Sequence, residues 1–243
     1  MLQAINISKT YSDNTKAVDG ISFNFIKGNS YSIIGPSGCG KSTFLLMAAG
    51  FLKPTSGRFL IDGNQINKPY DKSVTILQNF GLLPWYTVYD NVALGLKIKG
   101  FKKNEIKLKV NDALSMMGLL EFKDYYPSQL SGGMRQKVAF GRVFALKPNI
   151  VFLDEPLSSL DALNREKMQD FLLNLWKMEK FMMIIITHSI EEAVFLGKEI
   201  LVFSNRPAKL VKVIKNESVG DINYRKTSEF FEKCKSVREF IEL

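Results

Sequence analysis

Residues 35–43 read GPSGCGKST, a spacing of glycines around a lysine and a hydroxyl that suits phosphate binding. Gly35, Gly38 and Gly40 let the backbone turn tightly and bring its N–H groups close to an anion. A helix N-terminus following the loop adds a positive dipole end. Lys41 is expected to reach the β- and γ-phosphates of a nucleotide, and the Ser42 hydroxyl to ligate Mg²⁺. The whole loop, Gly35, Pro36, Ser37, Gly38, Cys39, Gly40, Lys41, Ser42 and Thr43, is the expected nucleotide cradle.

A second chemical segment is NIVFLDEP at residues 149–156. Four apolar residues running into acid predict a buried parallel strand whose carboxyl end meets the ligand. Asp154 is placed to hold Mg²⁺, while Glu155, one residue on, can turn toward an attacking water. Adjacent carboxylates divide these tasks because only one lies against the cation.

A third segment, LSGGMRQ at residues 130–136, offers another helix start suited to an anion. Ser131 is a good N-cap, and Gly132 and Gly133 leave the helix end uncovered. A triphosphate already wrapped by the first loop has little room for a second helix of the same chain. This end is therefore expected to face the nucleotide of a second copy, in a homodimer.

Taken in order, GPSGCGKST, LSGGMRQ, IVFLDEP, SSLD (158–161) and ITHS (186–189) resemble an ATP-binding cassette (ABC) ATPase over roughly residues 2 to 215. The stretch VTILQNFGLLPWYTVYDNVALGL at 74–96, and LLPW within it, is similar to the importer subfamily serving nitrate, sulfonates, taurine and related solutes. The resemblance implies an α/β P-loop NTPase (RecA-like) with a parallel-sheet core, an N-terminal antiparallel β subdomain and an inserted α-helical subdomain. It implies ATP and Mg²⁺ as cofactors. Gln78, at a strand end, is implied to touch Mg²⁺ or the water and to link the nucleotide to a membrane partner. His188, the only histidine, is the implied switch residue at the γ-phosphate, holding Glu155 and the water in line. Asp161 resembles the loop residue that reaches across the dimer, and Tyr11 the aromatic that stacks on adenine. Glu155, His188, Lys41 and Gln78 form the expected catalytic set, and Ser42, Gln78 and Asp154 the Mg²⁺ set. Expected partners are a second ATPase copy, integral membrane permease subunits bound near residues 78–90, and an extracytoplasmic solute-binding protein. An exporter ATPase, or a non-transport ABC ATPase of DNA repair or translation, is the alternative; long coiled coils or tandem cassettes, usual in the latter, are lacking.

Composition sets limits. At 243 residues with 46% hydrophobic content, the chain can bury a full core. No apolar run approaches the ~20 residues of a membrane span. The opening MLQAINISKTY alternates like a strand rather than a signal peptide, so a cytoplasmic protein is expected, and the resemblance implies a peripheral position on the inner face of the cell membrane. Cys39 and Cys234 lack metal-ligand spacing. Cys39, beside a helix N-terminus, is expected to have a lowered pKa and to react with bulky thiol reagents unless ATP protects it. The net charge is +9. Its densest run, residues 97–109, accompanies Ile106, Val110, Ala113, Leu114 and Met117 on one helical face. The lysines therefore form a solvated face, with attraction to anionic lipid or permease loops as the alternative and no nucleic-acid partner expected.

These residues need a scaffold. Residues 2–11, 18–25 and 58–61 read as strands, with Asp62-Gly63 a hairpin turn. The core, at 1–82 and 138–215, is expected to contain strands at 31–34, 74–77, 150–154, 183–186 and 200–203, with a helix at 43–52 and a strand at 209–214. Residues 83–137 form the expected helical insertion carrying the signature segment. A helical tail spans 216–243, in which Phe230, Phe231, Cys234, Val237, Phe240 and Ile241 are expected to share one face.

Overall fold

Two hydrophobic patterns sort the strands into two sheets. In the computed structural model, which describes residues 1–77 and 81–241, the alternating N-terminal strands form an antiparallel sheet ordered β2-β1-β4-β5. These are β1 (Leu2–Thr10), β2 (Lys16–Phe25), β4 (Ser56–Ile61) and β5 (Asn64–Gln65). The register of β1 shifts between Ala4 and Ile7, where Asn6 takes φ 49. That bulge moves the inward face from even to odd positions, so Leu2, Ala4 and Ile7 are all buried. Asp62 and Gly63 both have positive φ, the conformation of the tight turn that a DG pair favours.

The continuous apolar strands form the second sheet, ordered β10-β9-β3-β8-β7-β6. They are β3 (Ser30–Ile34), β6 (Ser73–Ile76), β7 (Ile150–Asp154), β8 (Met182–Ile186), β9 (Glu199–Phe203) and β10 (Leu210–Lys215). All neighbours are parallel except the β9–β10 pair at one edge. Both faces are covered, as parallel sheets require. Val151, Leu153, Met183 and Ile185 enter one apolar cluster with the helices. Phe152, Ile184, Ile186 and Phe203 enter the other, beneath the antiparallel sheet and α1 (Lys41–Ala48). The α1 helix stops short of Leu52: Gly50 turns left-handed (φ 80), and its N–H and that of Phe51 bond back to Met47 O and Leu46 O.

Between β6 and β7 lie α2 (Val88–Ile98), α3 (Lys103–Met116) and α4 (Gly132–Leu146). Ile106, Val110, Ala113, Leu114 and Met117 are buried as their spacing predicts, while Lys102, Lys103 and Lys107 are exposed. The boundary expected at 137/138 falls inside α4, one uninterrupted helix. A Cβ at Gly95 would meet Leu146 Cδ1 at 2.7 Å, and one at Gly141 would meet Val92 at 3.1 Å. α2 and α4 thus approach closely over the C-terminal half of α4, which runs unbroken to Leu146.

The remaining helices are α5 (Ala162–Glu179), α6 (Ile190–Leu196) and α7 (Ser228–Ile241). On α7, Phe230 and Val237 are buried, and Cys234, Phe240 and Ile241 pack against the core. Phe231 departs from expectation and is 64% exposed. It lies one residue, about 100°, off the 230-234-237-241 stripe.

Candidate active site

The loop before α1 is shaped by contacts to its own chain. Gly40, the N-cap of α1, has φ 128, and a Cβ there would meet Ala17 O at 2.4 Å; a Cβ at Gly35 would meet Phe203 O at 2.6 Å. Lys41 is 6% exposed and donates to Gly35 O and Pro36 O, both at 2.8 Å. Its ammonium is thereby held inside the curve of the loop. The adjoining cleft, about 380 Å³, is lined by residues including Tyr11, Ser37, Lys41, Ser42, Glu155 and Arg206. At its outer wall the Tyr11 hydroxyl lies 3.1 Å from Thr43 Oγ1, leaving the ring 41% exposed.

The two carboxylates at the end of β7 diverge. Ser42 Oγ donates to Asp154 Oδ1 at 3.0 Å. Burial pushes the Asp154 pKa up, the Ser42 bond and Lys41 pull it down, and Glu155 adds to the rise. A carboxylate so placed is stabilised by a nearby cation. Glu155 takes φ 46, a left-handed conformation that costs about 1–2 kcal/mol outside glycine. Its N–H donates to Ile186 O at 3.0 Å, and its Oε2 lies 3.3 Å from His188 Nδ1. The strand ends of β7 and β8 are thus linked by the acid and the histidine, and Glu155 itself lines the cleft that holds Lys41.

Ser42 and Asp154 fit a divalent cation. Among the described residues no group of three or more His, Cys, Asp or Glu side chains could hold a metal ion. Mg²⁺ characteristically takes one or two protein oxygens and completes its octahedron with substrate phosphates and water, so the sparse donor set suits it.

The second helix start stands apart. Ser131 caps α4, its hydroxyl accepting from Met134 N, yet Ser131, Gly132 and Gly133 do not line the cleft. A Cβ at Gly133 would meet nothing within 4 Å, and at Gly132 only Arg135 Nη2 at 4.0 Å. Asp161 is likewise outside the cleft: it is exposed and caps α5, accepting from Asn164 N at 3.0 Å, which with other local hydrogen bonds lowers its pKa. Gln78, the remaining expected site residue, lies outside the described residues.

Cys39 is a correction. Only 2% exposed, its side chain belongs to the cluster under the antiparallel sheet. Its backbone can serve the loop, but a bulky reagent has no open path to the thiol. Sequence reasoning also missed three residues. Arg206 donates through Nε and Nη2 to Gly38 O at 3.0 and 2.6 Å, bracing the loop from the β9–β10 connection. The signal was available, since Arg206 follows a core strand at the ligand end of the sheet. Arg142 of α4 donates to Asn91 O at 2.9 Å and Gly81 O at 2.8 Å. Asn91, fully buried, bonds Leu83 O, Tyr86 O and Thr87 O. Together they fasten the LLPW stretch to α4, and no local pattern marks such a link.

Comparison with known proteins accords with this geometry. Residues 18–158 match the ABC transporter family. The taurine import ATP-binding protein of Pseudomonas aeruginosa is 42% identical over 211 residues, 86% of this chain and 80% of the relative. The aliphatic sulfonates import ATP-binding protein of Bacillus cereus is 40% identical over 234 residues, covering 94% and 90%. A bacterial ABC transporter cassette solved as a dimer superposes with TM-score 0.79 at 30% identity, covering 88% of this chain and 98% of the other. The dimeric post-hydrolysis form bound to ADP and Pi gives 0.75 at 31%, covering 87% and 99%.

Proposed function

Because the chain belongs to the ABC transporter family, we propose that it is the ATP-hydrolysing subunit of an importer for a small anionic or zwitterionic solute of the sulfonate class. The observation that carries hydrolysis, rather than nucleotide binding alone, is the Glu155–His188 pair at 3.3 Å beside the Lys41 loop. Import, rather than export or DNA-directed work, is supported by relatives named for taurine and sulfonate uptake. No described helix is long and apolar enough to cross a membrane, so the pore belongs to separate permease subunits, on whose inner face the ATPase docks. The strapped LLPW stretch, with Trp85 68% exposed, is the surface offered to them. A solute-binding protein delivers cargo from the far side.

The chain's own groups divide the work. Backbone N–H groups of the 35–43 loop and Lys41 bind the β- and γ-phosphates. Tyr11 stacks on the base. Glu155 accepts the proton of the attacking water, and His188 keeps that carboxylate oriented while its other nitrogen faces the γ-phosphate. Ser42, Asp154 and Gln78 would hold Mg²⁺, which would supply neutralisation of the phosphate charge. Ser131 to Gly133 and Asp161 serve the site of the second copy, because their own cleft excludes them. Catalysis is then positioning and electrostatics completed by dimer closure.

The test is Glu155→Gln. The variant should bind ATP normally, turn over at least about a thousandfold more slowly, and accumulate an ATP-dependent dimer in size-exclusion chromatography. Undiminished hydrolysis removes Glu155 from its role; loss of turnover without a dimer removes the shared site.

A further inference from the structure

Behind the switch histidine lies a carboxylate that the reaction above does not use. Glu192, in the first turn of α6, is 4% exposed. Its Oε2 accepts from Thr187 Oγ1 at 3.0 Å. Thr187 Oγ1 in turn accepts from Ser189 N at 3.0 Å, and Ser189 Oγ accepts from Glu192 N at 3.2 Å. These three bonds close a ring around residues 187–189, with His188 at its apex. Thr187 N also donates to Ile33 O at 3.2 Å, tying the ring to β3. The other carboxylate oxygen, Oε1, is buried with no hydrogen-bond partner among the described residues. An unmatched acceptor of this kind is unfavourable unless something else requires the charge.

Arg165, on α5, supplies the attraction. It favours the charged form of Glu192, and its guanidinium donates to Leu160 O at 2.7 Å and to Leu157 O at 3.4 Å. It therefore grips the 157–160 turn that leads into Asp161.

We propose that Glu192 is a positioning residue for hydrolysis, fixing His188 against Glu155 through Thr187. The inference rests on the ATPase reading above and extends it to a buried residue remote from the phosphates. The groups facing Glu192 are Thr187 and Ser189 of the loop, Arg165 of α5 and Glu155 at the end of β7. Burial, opposed by Thr187 and Arg165 and reinforced by Glu155, pushes its pKa up to about 7. Ionisation strengthens the charge-assisted hydrogen bond that its Oε2 accepts from Thr187 Oγ1. Turnover should therefore increase as pH rises through about 7.

The experiment compares wild type, Glu192→Gln, Thr187→Val, Thr187→Ser and the Gln/Val double variant. ATP hydrolysis is followed from pH 6 to 9, with fluorescent-nucleotide affinity and Tm measured in parallel. Glu192→Gln should lower kcat about tenfold at pH 8 with KM and nucleotide Kd within about twofold. Its pH profile should lose the inflection near 7, without a fall in Tm. Thr187→Val should match it, Thr187→Ser should restore most of the rate, and the double variant should be no slower than either single change. A Glu192→Gln enzyme with wild-type kcat and pH profile overturns the proposal. So does a rate loss that comes with an equal loss of nucleotide affinity and adds to Thr187→Val. Absence of hydrolysis by the wild type itself would instead overturn the ATPase reading on which it rests.

Discussion

The chain contains two glycine-rich helix starts, and they are built on opposite terms. At the 35–43 loop the glycines answer to the chain's own backbone: Cβ atoms at Gly35 and Gly40 would collide with Phe203 O and Ala17 O. Arg206 and Lys41 brace the same loop from outside and inside. At 132 and 133 nothing among the described residues demands glycine, since a Cβ there meets open space or only the far end of Arg135. Glycine in a helix's first turn lowers stability, so its presence at Gly132 and Gly133 calls for a close approach by something else. The first site is self-supporting; the second, on the reading proposed above, is half of a site whose other half sits on another copy.

The largest test of that contrast is complementation. Lys41→Ala and Gly133→Val should each hydrolyse ATP at least about a hundredfold more slowly than wild type. Mixed in equal amounts they should recover up to about a quarter of wild-type turnover, because half of the dimers are mixed and each of those keeps one intact composite site. No recovery on mixing, in samples shown to exchange subunits, sinks the two-copy reading.

Substituting alanine sharpens the contrast within one chain. Gly40→Ala forces a side chain into a positive-φ position against backbone and should destabilise by about 3 kcal/mol, a Tm fall of roughly 10 °C. Gly133→Ala should leave Tm within about 2 °C, while hydrolysis falls more than tenfold and nucleotide binding is kept. Thermal melts and a nucleotide titration on both variants decide it. Equal Tm losses would erase the distinction.

The last effect lies in the switch loop at residues 187–189. Glu192 carries a folded-state pKa of about 7 against an ordinary 4.5. Its folded form binds the proton more tightly than the unfolded chain, so its contribution to stability is present below pH 4.5 and fades as pH rises to 7. Glu192→Gln should therefore be more stable than wild type at pH 8, by at most about 3 kcal/mol and with a higher Tm, the difference vanishing near pH 4.5. A Tm gap independent of pH would show that the carboxylate is not the titrating group.

Much of this was legible in the chain alone, for a reason that also marks the limit. The 35–43 loop, the Asp62-Gly63 turn, the Ser131 cap and the buried face of α3 are set by residues within a turn or two of one another. Local periodicity, capping and dihedral preference therefore specify them, and the order of such segments carried the family resemblance. Local pattern misled where neighbours in space decide the outcome: Cys39 turned inward and α4 ran through the expected subdomain boundary, whereas Phe231 lies off the buried stripe by the helix period itself. The sheet order β9-β3-β8-β7 did what no spacing can. It set Glu155 beside His188, brought Arg206 to Gly38 across 168 residues of chain and placed Glu192 and Arg165 behind the switch loop. Such contacts depend on which strands lie side by side and how the helices above them pack, and that is fixed only when the whole core closes.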